Sequence, residues 1–102
     1  MTRSILRLRA KPGRRDELVE LFDRLGIFAA AREQDGFLAA ELQISLDDAD
    51  ELVVTATWAR PEAYDGWLAN PIRAELGAQL EPLLDGDPEP RTYLIVRELR
   101  GT

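Results

Sequence analysis

The sequence predicts an α+β domain of order βαββαβ, in which a four-stranded antiparallel sheet carries its helices on one face. Three observations predict it. Four segments alternate apolar and polar residues with the period of a strand, two stretches repeat apolar residues at helical spacing, and Gly, Pro and Asp breakers separate them in that order. A chain of 102 residues with 45% hydrophobic content has room for one small core, so residues 1–102 are read as a single domain.

From Ser4 to Ala10, Leu6 and Leu8 fall on one face and Arg7 and Arg9 on the other, as in a half-buried strand. Lys11-Pro12-Gly13 ends it. Leu18, Leu21, Phe22, Leu25, Phe28 and Ala29 then recur every three or four residues, which predicts one amphipathic helix of about five turns at roughly 3.6 residues per turn. Gly26 lies inside that pattern and costs roughly 1 kcal/mol relative to alanine. After Asp35-Gly36, the run from Phe37 to Leu46 sets Leu38, Ala40, Leu42, Ile44 and Leu46 against Glu41, Gln43 and Ser45, which predicts a second strand. The acidic Asp47-Asp48-Ala49-Asp50 joins it as a hairpin to a third, Glu51 to Trp58. Leu52, Val54, Ala56 and Trp58 share the more apolar face of this strand, so Trp58 is expected to point into the core.

Pro61 suits the first position of a helix, where its missing N–H would be unpaired anyway, and Glu62 and Asp65 suit the positive helix end. Asn70-Pro71 interrupts that helix. Ile72, Leu76, Leu80, Leu83 and Leu84 then resume helical spacing up to Asp85-Gly86-Asp87-Pro88-Glu89-Pro90, so two short helices or one kinked helix are expected. Arg91 to Leu99 reads as the closing strand, apolar on both faces. This order is the ferredoxin-like arrangement. Its helix-free face is expected to carry Ile5, Val53, Tyr93 and Ile95, more apolar surface than a monomer normally exposes, and two such sheets packed face to face as a homodimer would cover it.

Composition narrows the chemistry. The chain has no histidine and no cysteine, which excludes Ser-His-Asp and Cys-His catalysis and leaves neither imidazole nor thiolate to hold zinc or iron. The acidic cluster at Asp47, Asp48, Asp50 and Glu51 lacks the glycine and terminal bidentate glutamate of a calcium loop and is read as a solvated hairpin tip, so no metal is expected. A net charge of -6 argues against nucleic acid or an anionic membrane as partner. The first nine residues interleave charge with apolar side chains and offer no continuous apolar run for export or membrane spanning, so the expected location is cytoplasmic.

Both tryptophans and one of the two tyrosines cluster between Leu52 and Asn70, where aromatic rings form either a core plug or the wall of a pocket for a flat ligand. A strand ending in Trp58, then Tyr64 and Trp67 on the following helix, then Asn70-Pro71, resembles the antibiotic biosynthesis monooxygenase family. The resemblance spans nearly the whole chain, through Arg9-Ala10-Lys11-Pro12-Gly13-Arg14, Gln34-Asp35-Gly36-Phe37, Thr57-Trp58-Ala59-Arg60-Pro61-Glu62-Ala63-Tyr64 and Leu83-Leu84. It implies a homodimeric α+β barrel of two ferredoxin-like chains, each with a pocket between sheet and helices. Some members of that family oxidise phenolic polyketide rings to quinones with dioxygen and no bound metal or flavin. The substrate phenolate then supplies the electrons, and the protein binds the ring, favours its anion and excludes water.

By that resemblance this chain is a cofactor-independent monooxygenase acting on a small aromatic molecule, with Trp58 facing the ring and Tyr64 bonding a substrate oxygen as catalytic candidates. The alternative is a non-catalytic barrel that binds a small apolar metabolite or assists a biosynthetic enzyme. The chain departs from the quinone-forming members at Val54, where they carry asparagine, and from many relatives at Trp67, where they carry histidine. The haem-degrading branch holds iron with that histidine, which Trp67 cannot do. Phe22, Trp67, Asn70 and Arg73 are the substrate-binding candidates. The last three have a structural reading beside the functional one: packing on the sheet for Trp67, a helix cap for Asn70, a surface cation for Arg73 against neutralising a phenolate.

Overall fold

The structure is a computed structural model that describes residues 1–101. Strand β1 (Thr2–Arg9) leads to helices α1 (Arg15–Arg24) and α2 (Ile27–Arg32), then to the hairpin of β2 (Phe37–Ile44) and β3 (Glu51–Trp58). Helices α3 (Pro61–Ala69) and α4 (Pro71–Leu80), a short 3-10 turn over Glu81–Leu83 and strand β4 (Glu89–Leu94) complete the chain. All neighbouring strands are antiparallel, in the order β2-β3-β1-β4. This is the ferredoxin-like α+β order read from the sequence.

The helices bury one face of the sheet. Leu8, Leu18, Phe22, Leu52, Leu80 and Leu83 form one packed cluster, and Ala31, Ala56, Trp58, Ala63, Tyr64 and Trp67 a second. Trp58 is on the helix side, as the alternation of β3 requires, and with Leu18 and Leu52 it is one of the three largest fully buried side chains. Pro61 does stand in the first turn of α3, and Asn70-Pro71 does divide two helices.

Five expectations need correction. The single long helix after β1 is two, because Gly26 adopts φ 66° and ψ 34°, a left-handed conformation that ends α1 and redirects the chain. A β-bulge shifts the register between Phe37 and Ala39, so Phe37 pairs with Trp58 and faces the helices while Leu38, expected on the core face, is 50% exposed. Strand β2 also ends at Ile44 rather than Leu46, since the Ser45 hydroxyl accepts the N–H groups of Asp47 and Asp48 and Arg15 donates to the carbonyls of Ser45, Asp48 and Glu51. These bonds compete with the ladder for the same backbone.

The last strand lies earlier than expected, at Glu89–Leu94, and contains Pro90. An edge strand tolerates proline because half its N–H groups have no ladder partner. Every residue of β4 is exposed, so the predicted burial of both its faces is not met. The helix-free face carries Ile5 and Val53, both half-buried, and Tyr93 at 53% exposure. Polar bonds cross the same face: Arg3 to Thr57 at 3.0 Å, Gln43 to Thr55 at 3.1 Å, and Arg7 between Glu51 and Glu89. Among the described residues no helix is long and apolar enough to cross a membrane.

Candidate functional site

A cavity of about 700 Å³ lies between the sheet and its helices. Strand alternation supplies its floor: Ser4, Leu6 and Leu8 from β1, Ala40 from β2, and Val54 and Ala56 from β3. Aromatic rings supply most of its walls, with Phe22 from α1, Phe28 from α2, Phe37 and Trp58 from the sheet, and Tyr64 and Trp67 from α3. Helix α4 closes it with Arg73, Leu76 and the small residues Ala74, Gly77 and Ala78. Such a mostly apolar enclosure with few polar groups has the make-up of a small-molecule pocket.

The aromatic walls brace one another. Phe22 and Phe28 meet edge to face with centroids 5.1 Å apart, as do Phe37 and Trp58 at 5.5 Å, and Tyr64 tilts against Trp58 at 5.7 Å. Trp58 is 1% exposed, so it is first a packed core residue, and only a strip of its ring reaches the cavity. Plug and wall are the same side chain. Its Nε1–H donates to the Ser4 hydroxyl at 3.0 Å across β1 and β3, which satisfies a buried donor that would otherwise cost stability.

The polar groups of the cavity are sparse. Burial raises the Tyr64 phenol above its usual range, Arg73 partly opposes that by its charge, and Asp65 adds to it. Tyr64 is therefore a neutral donor at neutral pH, not a base. Arg73 makes no side-chain hydrogen bond or ion pair among the described residues, so its guanidinium is free to meet an anion. Glu81 and Asp87, after α4, are the other charged residues of the lining. Among the described residues no three acidic side chains converge as a metal site.

Five of the six candidates named from sequence, Phe22, Trp58, Tyr64, Trp67 and Arg73, line this one cavity, and Asn70 does not. The Asn70 side chain instead accepts the N–H of Ile72 at 3.1 Å and caps α4. Sequence reasoning missed Phe28, Phe37 and Ser4. The Phe37 signal was hidden by the bulge, whereas Ser4 shares the parity of Leu6 and Leu8 and was legible as a polar residue on the core-facing side of β1.

The fold and cavity define an α+β protein of ferredoxin-like topology with an aromatic-walled cavity between sheet and helices. The sequence profile of the antibiotic biosynthesis monooxygenase family matches residues 1–76, and the chain belongs to that family. SnoaB from Streptomyces nogalater, a cofactor-independent oxygenase, is similar in structure with a TM-score of 0.79 at 22% identity, over 98% of this chain and 97% of its own. A Deinococcus radiodurans protein given the same family name aligns with a TM-score of 0.83 at 22% identity, over 100% of this chain and 99% of its own. Rv0793 from Mycobacterium tuberculosis aligns at 0.79 with 24% identity, over 97% and 98%. At these identities the likeness establishes the fold. No curated protein matches the chain significantly in sequence.

Proposed function

We propose that this protein is a cofactor-independent monooxygenase that oxidises a phenolic, polyketide-like aromatic substrate with dioxygen. The observation that carries the reading is the aromatic-walled cavity of about 700 Å³ with Tyr64 and Arg73 in its lining. The rings of Phe28, Phe37 and Trp67 offer flat apolar surface to a fused-ring substrate. Arg73 favours the substrate's phenolate or enolate, the electron-rich form that reduces oxygen directly, and Tyr64 donates a hydrogen bond to a substrate oxygen. On an anthrone the balance is simple. One atom of dioxygen becomes the new ring carbonyl, and the other leaves as water with the two hydrogens of the oxidised carbon.

The test is oxygen uptake by purified, metal-stripped protein with anthrone and naphthol substrates. Consumption above the protein-free rate, slowed by Trp58→Ala and by Tyr64→Phe, supports the reading; binding without uptake across that panel refutes it. One observation favours a second reading, a non-catalytic barrel that binds a small apolar metabolite or assists a biosynthetic enzyme. Val54 lines the cavity with an apolar side chain where the quinone-forming members place asparagine.

We further infer a homodimer in which two helix-free sheet faces meet. Ile5, Val53 and Tyr93 on that face supply apolar surface that a second copy would bury. A sedimenting monomer at micromolar concentration would contradict this assembly. The cytoplasm remains the proposed location.

A further inference from the structure

Ser4 is 7% exposed, lines the cavity and contributes the sheet's only hydroxyl to its lining. Its Oγ accepts the Trp58 Nε1–H at 3.0 Å. An indole nitrogen can only donate, so this bond occupies a lone pair of the hydroxyl and leaves its hydrogen uncommitted. Among the described residues no side chain or backbone group accepts that hydrogen. Leu6 and Ala56, which flank it in the cavity lining, have no polar side chain to offer, and the two nearby hydroxyls on the same face, Thr2 on its own strand and Thr92 opposite it on β4, lie outside that lining and make no hydrogen bond to Ser4. A buried donor of this kind normally finds a partner, and the cavity is where one would sit.

We propose that Ser4 reads an oxygen of the bound aromatic ligand, donating its hydroxyl hydrogen to a phenolic, phenolate or ring-carbonyl oxygen. This rests on the aromatic-pocket reading above and adds which residue recognises the ligand's polar atom. Trp58 N–H, Ser4 O–H and the ligand oxygen form a chain in which each hydrogen bond polarises the next. An anionic oxygen gains most, because a charge-assisted bond is stronger than a neutral one. Ser4 thus makes the sheet side of the cavity select oxygenated rings over bare hydrocarbons, in a wall where Val54 has no polar group to do so.

The experiment compares 1-naphthol with naphthalene, titrated into nitrogen-15-labelled protein while the tryptophan indole N–H signals are followed. Ser4→Ala is expected to weaken 1-naphthol by about tenfold, the scale of one hydrogen bond to a polar ligand, and to leave naphthalene within about twofold. Ser4→Cys keeps a weaker donor and should fall between. In the wild type the Trp58 N–H signal should move further with 1-naphthol than with naphthalene, and Ser4→Ala should abolish the difference. Equal weakening of both ligands would mean that Ser4 only supports Trp58, and unchanged 1-naphthol affinity would mean that it does not touch the ligand; either overturns the proposal. Wild-type protein that binds neither compound overturns the aromatic pocket and this role with it, whereas binding of both with a neutral Ser4→Ala overturns this role alone. Should Ser4→Ala unfold by circular dichroism, Ser4→Cys carries the same comparison.

Discussion

Replacing Gly36 by alanine measures how closely the turn before β2 is locked against α3, the helix that brings Tyr64 and Trp67 to the cavity. Gly36 has φ +87°, and a Cβ built there would lie 2.6 Å from the Cβ of Ala63. Carbon atoms in contact sit about 3.5–4.0 Å apart, so turn and helix must separate by roughly 1 Å. The turn is not free to yield, because the Gly36 carbonyl accepts the Ala59 N–H at 2.8 Å just before α3 begins. A left-handed backbone in a residue other than glycine costs ~1–2 kcal/mol and overpacking ~1–3 kcal/mol, so Gly36→Ala should cost ~2–5 kcal/mol. That is a large share of the ~5–15 kcal/mol that holds a domain folded.

Gly26→Ala is the matched control, since Gly26 has φ +66° with nothing within 4 Å of its Cβ position and should show the backbone penalty of ~1–2 kcal/mol alone. Urea unfolding followed by tryptophan emission gives both values. In a double-mutant cycle, Ala63→Gly should recover the contact part, ~1–3 kcal/mol, only when Gly36 is alanine. The reasoning fails if Gly36→Ala is no more costly than Gly26→Ala, or if the cycle shows no coupling between positions 36 and 63.

Two further outcomes are expected. Asn70→Ala should destabilise by ~1 kcal/mol through loss of the α4 cap, while affinity for 1-naphthol stays unchanged; a large affinity loss at intact fold would put Asn70 in the site after all. Asp48 is paired with Arg9 and accepts the Asp50 N–H, which lowers its carboxyl from 3.8 to about 2. Because the folded value is depressed, its stabilising effect is complete above pH 3.8 and is lost as pH falls through about 2. Urea midpoints taken from pH 5 downward should therefore fall more steeply for the wild type than for Asp48→Asn, and parallel acid limbs would contradict the pairing.

Local chemistry made most of the fold legible. The parity of Leu52, Val54, Ala56 and Trp58 is a property of any strand with one buried face, and Pro61 and Asn70-Pro71 act through their own backbones wherever they occur. The failures share a cause. Gly26 is compatible with both a continuous helix and a left-handed break, and the choice rests on packing between residues on either side of it, such as Phe22 of α1 against Phe28 of α2. Leu38 looks as apolar as Phe37, yet pairing with β3 decides which of them the bulge turns toward the helices. Pro90 reads as a breaker because its strand's position at the sheet edge is not written in its neighbours.

The order of elements, the face of β3 that carries Trp58, the family resemblance and the absence of any histidine or cysteine from the chemistry are all readable along the chain. Periodicity and side-chain inventory are local quantities, and they survive without coordinates. It takes the folded chain to bring Phe22, Phe28, Phe37, Trp67 and Arg73 around one cavity, to spend Asn70 on a helix cap, and to set the Ser4 hydroxyl against the Trp58 indole N–H. Those facts depend on which residues distant in the chain become neighbours, and strand register and helix packing create such neighbours only when the whole core closes.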